Sequence, residues 1–133
     1  MGVIFDTSVL IGLERRSSGL DKFVLGREAE PFGISAITVS ELLHDVHRAD
    51  SVKRRVIREA FIEKIIEVFP VFPFDLSAAR IYARLWSSLA KRGKAVGAHD
   101  LIIAATSISL GFSLATLDLR DYSQIEGLKI HRL

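Results

Sequence analysis

Gly2-Val3-Ile4-Phe5-Asp6-Thr7-Ser8-Val9-Leu10 sets the frame for the whole chain. A short run of buried-strand character meets a carboxylate at Asp6, and a short helical pattern through Val9, Leu10 and Leu13 follows at once, ending near Ser17-Ser18-Gly19. A strand that passes directly into a helix is how an α/β unit begins. The same alternation continues outward from this opening. A short helix is read over Leu20 to Leu25, a second strand over Pro31 to Ser35, and a helix from Thr38 to about Ala49. Asp50 or Ser51 then caps a long helix with Ile57, Phe61, Ile65 and Val68 on one face, stopped by Pro70.

Val71 to Phe74 reads as a third, short strand, and the prolines around it put it at a sheet edge. Ala78, Ile81, Tyr82, Leu85, Trp86 and Leu89 recur at helical spacing and define an amphipathic helix that Gly93 ends. Leu101 to Leu110 is apolar nearly all round, which makes it a buried helix, and Gly111 stops it. Phe112 to Thr116 is a fourth strand and Leu128 to His131 a last short one. Helices interposed between strands predict an α/β sandwich around a mainly parallel sheet. With no internal repeat, low-complexity tract or linker, residues 1–133 read as a single domain.

Composition narrows the function classes. Apolar content of 49% and charged content of 26% are those of an ordinary globular chain. The absence of cysteine removes disulfides, thiolate catalysis and cysteine-ligated zinc, and fits a reducing, cytoplasmic compartment. Apolar stretches are too short to span a membrane, and no basic leader precedes the first of them. A net charge of +2 is mild, so affinity for a polyanion has to come from local clustering. Two clusters qualify: Lys53, Arg54, Arg55 and Arg58 at the start of the long helix, and Arg80, Arg84 and Lys91 along the Trp86 helix, followed by Arg92 and Lys94. Positive charge in a first helical turn opposes the macrodipole, so local stability does not explain the former. Either stripe positions a polyanion such as a nucleic-acid backbone, or it is a solvated face paired with Glu59, Glu63 and Glu67.

Chemistry is concentrated in four acids placed where an apolar run ends or a helix starts: Asp6, Glu41, Asp100 and Asp118. In open α/β sheets ligands bind outside the carboxyl ends of the strands, near the switch in strand order. If strands one and four are neighbours, Asp6 and Asp118 meet there, and Glu41 and Asp100 begin helices that start on the same edge. Converging carboxylates repel unless a cation sits among them, and all-oxygen ligation selects Mg²⁺ or Mn²⁺. Each acid also has a plain structural use. Asp6 and Asp118 are candidate N-caps, Thr38-x-x-Glu41 fits a capping box, and Asp100 opposes a helix dipole. Spacing alone leaves both readings open.

Ile4-Phe5-Asp6-Thr7-Ser8-Val9-Leu10-Ile11 resembles the opening of PIN domains, especially the VapC toxins of type II toxin–antitoxin pairs. Ile37-Thr38-Val39-Ser40-Glu41-Leu42, Gly97-Ala98-His99-Asp100-Leu101-Ile102-Ile103-Ala104-Ala105 and Ala115-Thr116-Leu117-Asp118-Leu119-Arg120-Asp121-Tyr122 are similar to later segments of that family, in the right order and across nearly the whole chain. The resemblance implies a PIN-like three-layer α/β/α sandwich with a mainly parallel sheet of four to five strands. It implies a metal-dependent endoribonuclease using Mg²⁺ or Mn²⁺, with Asp6, Glu41 and Asp100 as the acidic triad and Asp118 as the fourth acid. It also implies a homodimer restrained by a VapB-like antitoxin lying over helices near the acids, with Leu10, Leu13, Leu20, Phe23 and Val24 suited to such a groove or else part of the core. Two departures stand out: His99 occupies a position where such sequences commonly have Asn, and Asp121, which precedes an aromatic, competes with Asp118 for the fourth role.

On that expectation Asp6 and Asp100 hold the principal metal, Glu41 orients the attacking water and Asp118 completes the set, while Thr7 and Thr116 bind water or phosphate oxygen or cap backbone groups. Other acid-based chemistries fit less well. A haloacid-dehalogenase-like phosphatase wants a second Asp where Ser8 stands, and a receiver-type phosphoacceptor wants an acid pair and a late lysine. Glu41-x-x-His44 has no second copy to make a di-iron site, so His44 and His47 are read as helix-surface residues. The competing class is a PIN-like RNA- or protein-binding module without useful catalysis.

Overall fold

A computed structural model describes residues 2–14 and 30–131. The helix expected over Leu20 to Leu25 lies outside the described residues. Five strands, β1 (Val3–Phe5), β2 (Phe32–Ser35), β3 (Val71–Phe72), β4 (Ser113–Ala115) and β5 (Ile130–His131), form one sheet in the order β3-β2-β1-β4-β5. Every pairing is parallel, with Val3 opposite both Phe32 and Ser113. The six described helices are α1 (Thr7–Glu14), α2 (Ala36–His47), α3 (Val52–Val68), α4 (Leu76–Lys91), α5 (Ala98–Leu110) and α6 (Leu119–Tyr122).

The opening strand lies at the centre of the sheet, which is why it is apolar on both faces. Its alternation divides the core. Val3 and Phe5 face one layer with Val9, Leu10, Leu13, Leu42, Ile62 and Ile65. Ile4 faces the other, with Leu85, Leu89, Leu101, Ile103, Leu114 and Tyr122. Helices α1, α2 and α3 thus cover one side and α4, α5 and α6 the other, the three-layer α/β/α arrangement that the sequence predicts. Gly33 lies where the ring of Phe72 and the carbonyl of Pro70 crowd in, within 2.6 Å of where a Cβ would be, so β2 accepts no side chain there. Gly111 ends α5 in the left-handed region, at φ 70°.

Several local expectations are corrected. Helix α2 begins at Ala36, not Thr38, because Ser35 caps it by accepting from the Ile37 N–H. Thr38 is then an interior helix residue, fully buried, and its hydroxyl is the one buried side-chain polar group without a hydrogen-bond partner among the described residues. Ile57 was expected on the inner face of α3 but is 61% exposed, and Ile62 takes the buried place. Trp86 is likewise 63% exposed, its ring edge-on to Tyr82, which in turn meets Phe74. Of the two places left open for Leu10 and Leu13, a groove or the core, the structure gives them the core.

Candidate metal centre at the carboxyl edge of the sheet

The chain starts in the middle of the sheet, runs to one edge through β2 and β3, then crosses to β4 and β5 on the other side. Strand order therefore switches between β1 and β4, and the crevice at their carboxyl ends is where this architecture places ligands. Asp6 follows β1 directly, and Thr116 and Asp118 follow β4.

Asp6 is 4% exposed, so its charge depends on hydrogen bonds. Ser8 Oγ donates to its Oδ1 at 2.6 Å, the Val9 N–H reaches the same oxygen at 3.3 Å, and Thr116 Oγ1 donates to Oδ2. The Val9 contact is an N-cap bond for α1, so the structural reading holds for Asp6. Both hydroxyls have a second job. Ser8 accepts from the Leu117 N–H at 3.0 Å and Thr116 from the Asp118 N–H at 2.9 Å. The loop that carries Asp118 is thereby tied to the Asp6 carboxylate. Burial still outweighs these donors and raises the Asp6 carboxyl above its ordinary value.

Glu41 arrives from the second turn of α2. With the helix starting early, it closes no capping box; its Oε1 accepts from Thr7 Oγ1 at 2.7 Å and its Oε2 lies 3.6 Å from His99 Nδ1. Asp100 stands in the first turn of α5, where Gly97 caps without a side chain, so an acid there is favoured by the helix dipole. Tyr122 donates its hydroxyl to Asp100 Oδ1 at 3.2 Å. Burial first, and then the charges of Glu41, Asp118 and Asp121, push the Asp100 carboxyl up. Asp118 sits at the N-cap position of α6 but makes no side-chain cap bond. Oxygens of Asp100, Asp118 and Asp121 all lie within 4.8 Å of one another. Asp6 and Glu41 fall outside that tightest group but are close enough, with Asp100, to raise the Tyr122 phenol. Among the described residues no lysine or arginine pairs with any of the five acids. An all-oxygen set of carboxylates, from buried Asp6 to exposed Asp118, with no lysine or arginine partner among the described residues fits a hard divalent cation.

A PIN-domain family model matches residues 3–128. The chain belongs to the PIN-domain family. Within it the likeness is to VapC ribonucleases. The chain is 38% identical to "Ribonuclease VapC1" of Rickettsia felis, covering 98% of this chain and 95% of that one. It is 33% identical to "Ribonuclease VapC" of Rickettsia bellii over the same shares of the two chains. Among solved structures, DNA-bound VapBC from Salmonella typhimurium superposes with a TM-score of 0.86 at 25% identity, covering 99% of this chain and 98% of that one.

Of the four acids singled out from this PIN-domain sequence, all reach the one crevice, and Asp121 joins them. Thr7 and Thr116 lie there too, each bonded to a carboxylate. Sequence reasoning missed Ser8 and Tyr122. Ser8 offers the signal of a hydroxyl two residues after an acid at a helix start. Tyr122 offers none beyond being an aromatic next to Asp121. His44 and His47 are exposed on α2, as expected.

Proposed function

We propose that this PIN domain is the endoribonuclease toxin of a VapBC-type toxin–antitoxin pair, hydrolysing RNA phosphodiester bonds with Mg²⁺ or Mn²⁺. The supporting observation is the gathering of Asp6, Glu41, Asp100, Asp118 and Asp121 at the switch in strand order with no lysine or arginine partner among the described residues. A divalent cation bound there supplies Lewis acidity, acidifying the attacking water and neutralising charge on the phosphate. Asp6, Asp100 and Asp118 are the residues that would hold it, with Asp121 beside them. Glu41, held on one oxygen by Thr7, orients the water with the other. Ser8 and Thr116 keep Asp6 fixed and lock the Asp118 loop to it.

RNA would lie along α4. Arg80, Arg84 and Lys91 are exposed there and all lack an ion-pair partner among the described residues, whereas on α3 Arg54 pairs with Asp50 and Arg58 with Glu14, which leaves Lys53 and Arg55. The likeness to a solved VapBC complex supports a VapB-like antitoxin as partner, and a homodimer in the cytoplasm is part of the same proposal. No described helix is long and apolar enough to cross a membrane.

RNA cleavage by the purified chain tests the reading. It should require Mg²⁺ or Mn²⁺ and stop with EDTA. Asp100→Asn or Asp6→Asn should lower the rate at least about 1000-fold, roughly 4 kcal/mol of transition-state stabilisation, with the fold intact. Undiminished cleavage by either variant refutes the assignment. Binding of RNA with steep salt dependence but no cleavage would instead make the domain a binding module.

A further inference from the structure

Helix α6 delivers two neighbouring side chains to the site. Asp121 is half-buried and joins Asp100 and Asp118, while Tyr122 points inward and is 1% exposed. The Tyr122 ring belongs to the core with Ile4, Leu85, Leu89, Leu101 and Ile103. Phenylalanine would fill that space equally well, so packing accounts for the ring but not for the oxygen. Among the described residues the hydroxyl makes one hydrogen bond: it donates to Asp100 Oδ1 at 3.2 Å.

We propose that Tyr122 is a positioning residue of the nuclease site, its hydroxyl fixing the Asp100 carboxylate in the orientation in which it converges with Asp118 and Asp121. This rests on the reading of Asp100 as a metal ligand. A phenol hydroxyl has one proton to donate, and a carboxylate oxygen can only accept, so the direction of this bond is fixed. Asp100 Oδ1 has the Tyr122 hydroxyl as its side-chain donor, on a carboxylate that lies among Asp118 and Asp121. The bond also engages Oδ1 and so restricts rotation of the carboxyl group. Groups that orient a ligating side chain from behind commonly change metal affinity about 10–100-fold when removed.

Mn²⁺ titration followed by electron paramagnetic resonance, without RNA, tests this on wild type, Tyr122→Phe, Asp100→Asn and the double variant. Tyr122→Phe should melt cooperatively within about 5 °C of wild type. It should bind Mn²⁺ about 10-fold more weakly and cut RNA with kcat reduced about 10-fold, with KM for RNA within about twofold. In the Asp100→Asn background the same substitution should change Mn²⁺ affinity no further. Tyr122→p-aminophenylalanine keeps ring and donor and should restore both Mn²⁺ affinity and kcat, which holds even if the phenylalanine variant folds poorly. Wild-type Mn²⁺ affinity in Tyr122→Phe, an equal loss in both backgrounds, or no rescue overturns the proposal while leaving the functional reading intact. If wild type binds no Mn²⁺, or Asp100→Asn binds it as wild type does, the functional reading falls and the proposal with it.

Discussion

Asp6 and Asp100 are each caught between burial, which disfavours their charge, and hydroxyl donors, which favour it. Burial is the larger influence on both, so both carboxyls titrate above the ordinary 3.8 in the folded chain. The folded state therefore holds these protons more tightly than the unfolded state does. Their stabilising contribution is fully present below the ordinary value and is lost as pH rises through the raised one. At neutral pH the metal-free protein carries that penalty. Asp100→Asn should accordingly raise its melting temperature at pH 7 in EDTA and have little effect in mild acid, while removing most of the stabilisation that Mn²⁺ gives wild type. Calorimetry with and without Mn²⁺ checks both signs; a lower melting temperature for the metal-free variant at pH 7 would contradict them. Residues of this kind were legible in the sequence because an acid abutting an apolar run is conspicuous. Ser8 and Tyr122 were not, since a hydroxyl's value lies in what it faces across the fold.

At the scale of elements, the hydrophobic period located the five longer described helices, missed the one-turn helix α6, and misjudged coverage. All ten residues from Ser51 to Ala60 are exposed, so no described element covers the first half of α3 and Ile57 stays in contact with solvent. Periodicity reports which side of a helix is apolar, not how far a neighbour extends along it. Trp86 follows the same rule on α4. The missed start of α2 has another cause: Thr38 and Ser35 are both competent caps, and the strand register decided in favour of Ser35, which ends β2. Helix α4 also presents the unpaired basic stripe. Arg84→Ala should weaken binding of single-stranded RNA across sequences and reduce the slope of log affinity against log salt by about 0.7. Fluorescence anisotropy over a salt series measures it, and an unchanged slope would remove α4 from the RNA path.

For the whole molecule, class and strand count could be read from alternation, whereas strand order could not. Nothing in the sequence states that β1 and β4 are neighbours; only that adjacency makes Asp6 and Asp118 part of one site. Leu114 sits at this junction, fully buried and between β1 and β5. Leu114→Ala should cost about 2–5 kcal/mol, read from urea unfolding, because the close-packed layer beneath it cannot collapse fully. A cost under about 1 kcal/mol would mean that the β1–β4 seam is softer than its burial implies.

The central position of the first strand has a consequence for synthesis. Val3 to Phe5 leave the ribosome more than a hundred residues before their partners on one side, Ser113 to Ala115. A nascent chain shorter than that has no second wall for its crevice and cannot bring Asp118 to Asp6. Whatever activity the carboxylates confer is therefore withheld during translation and switched on only as the last strands dock.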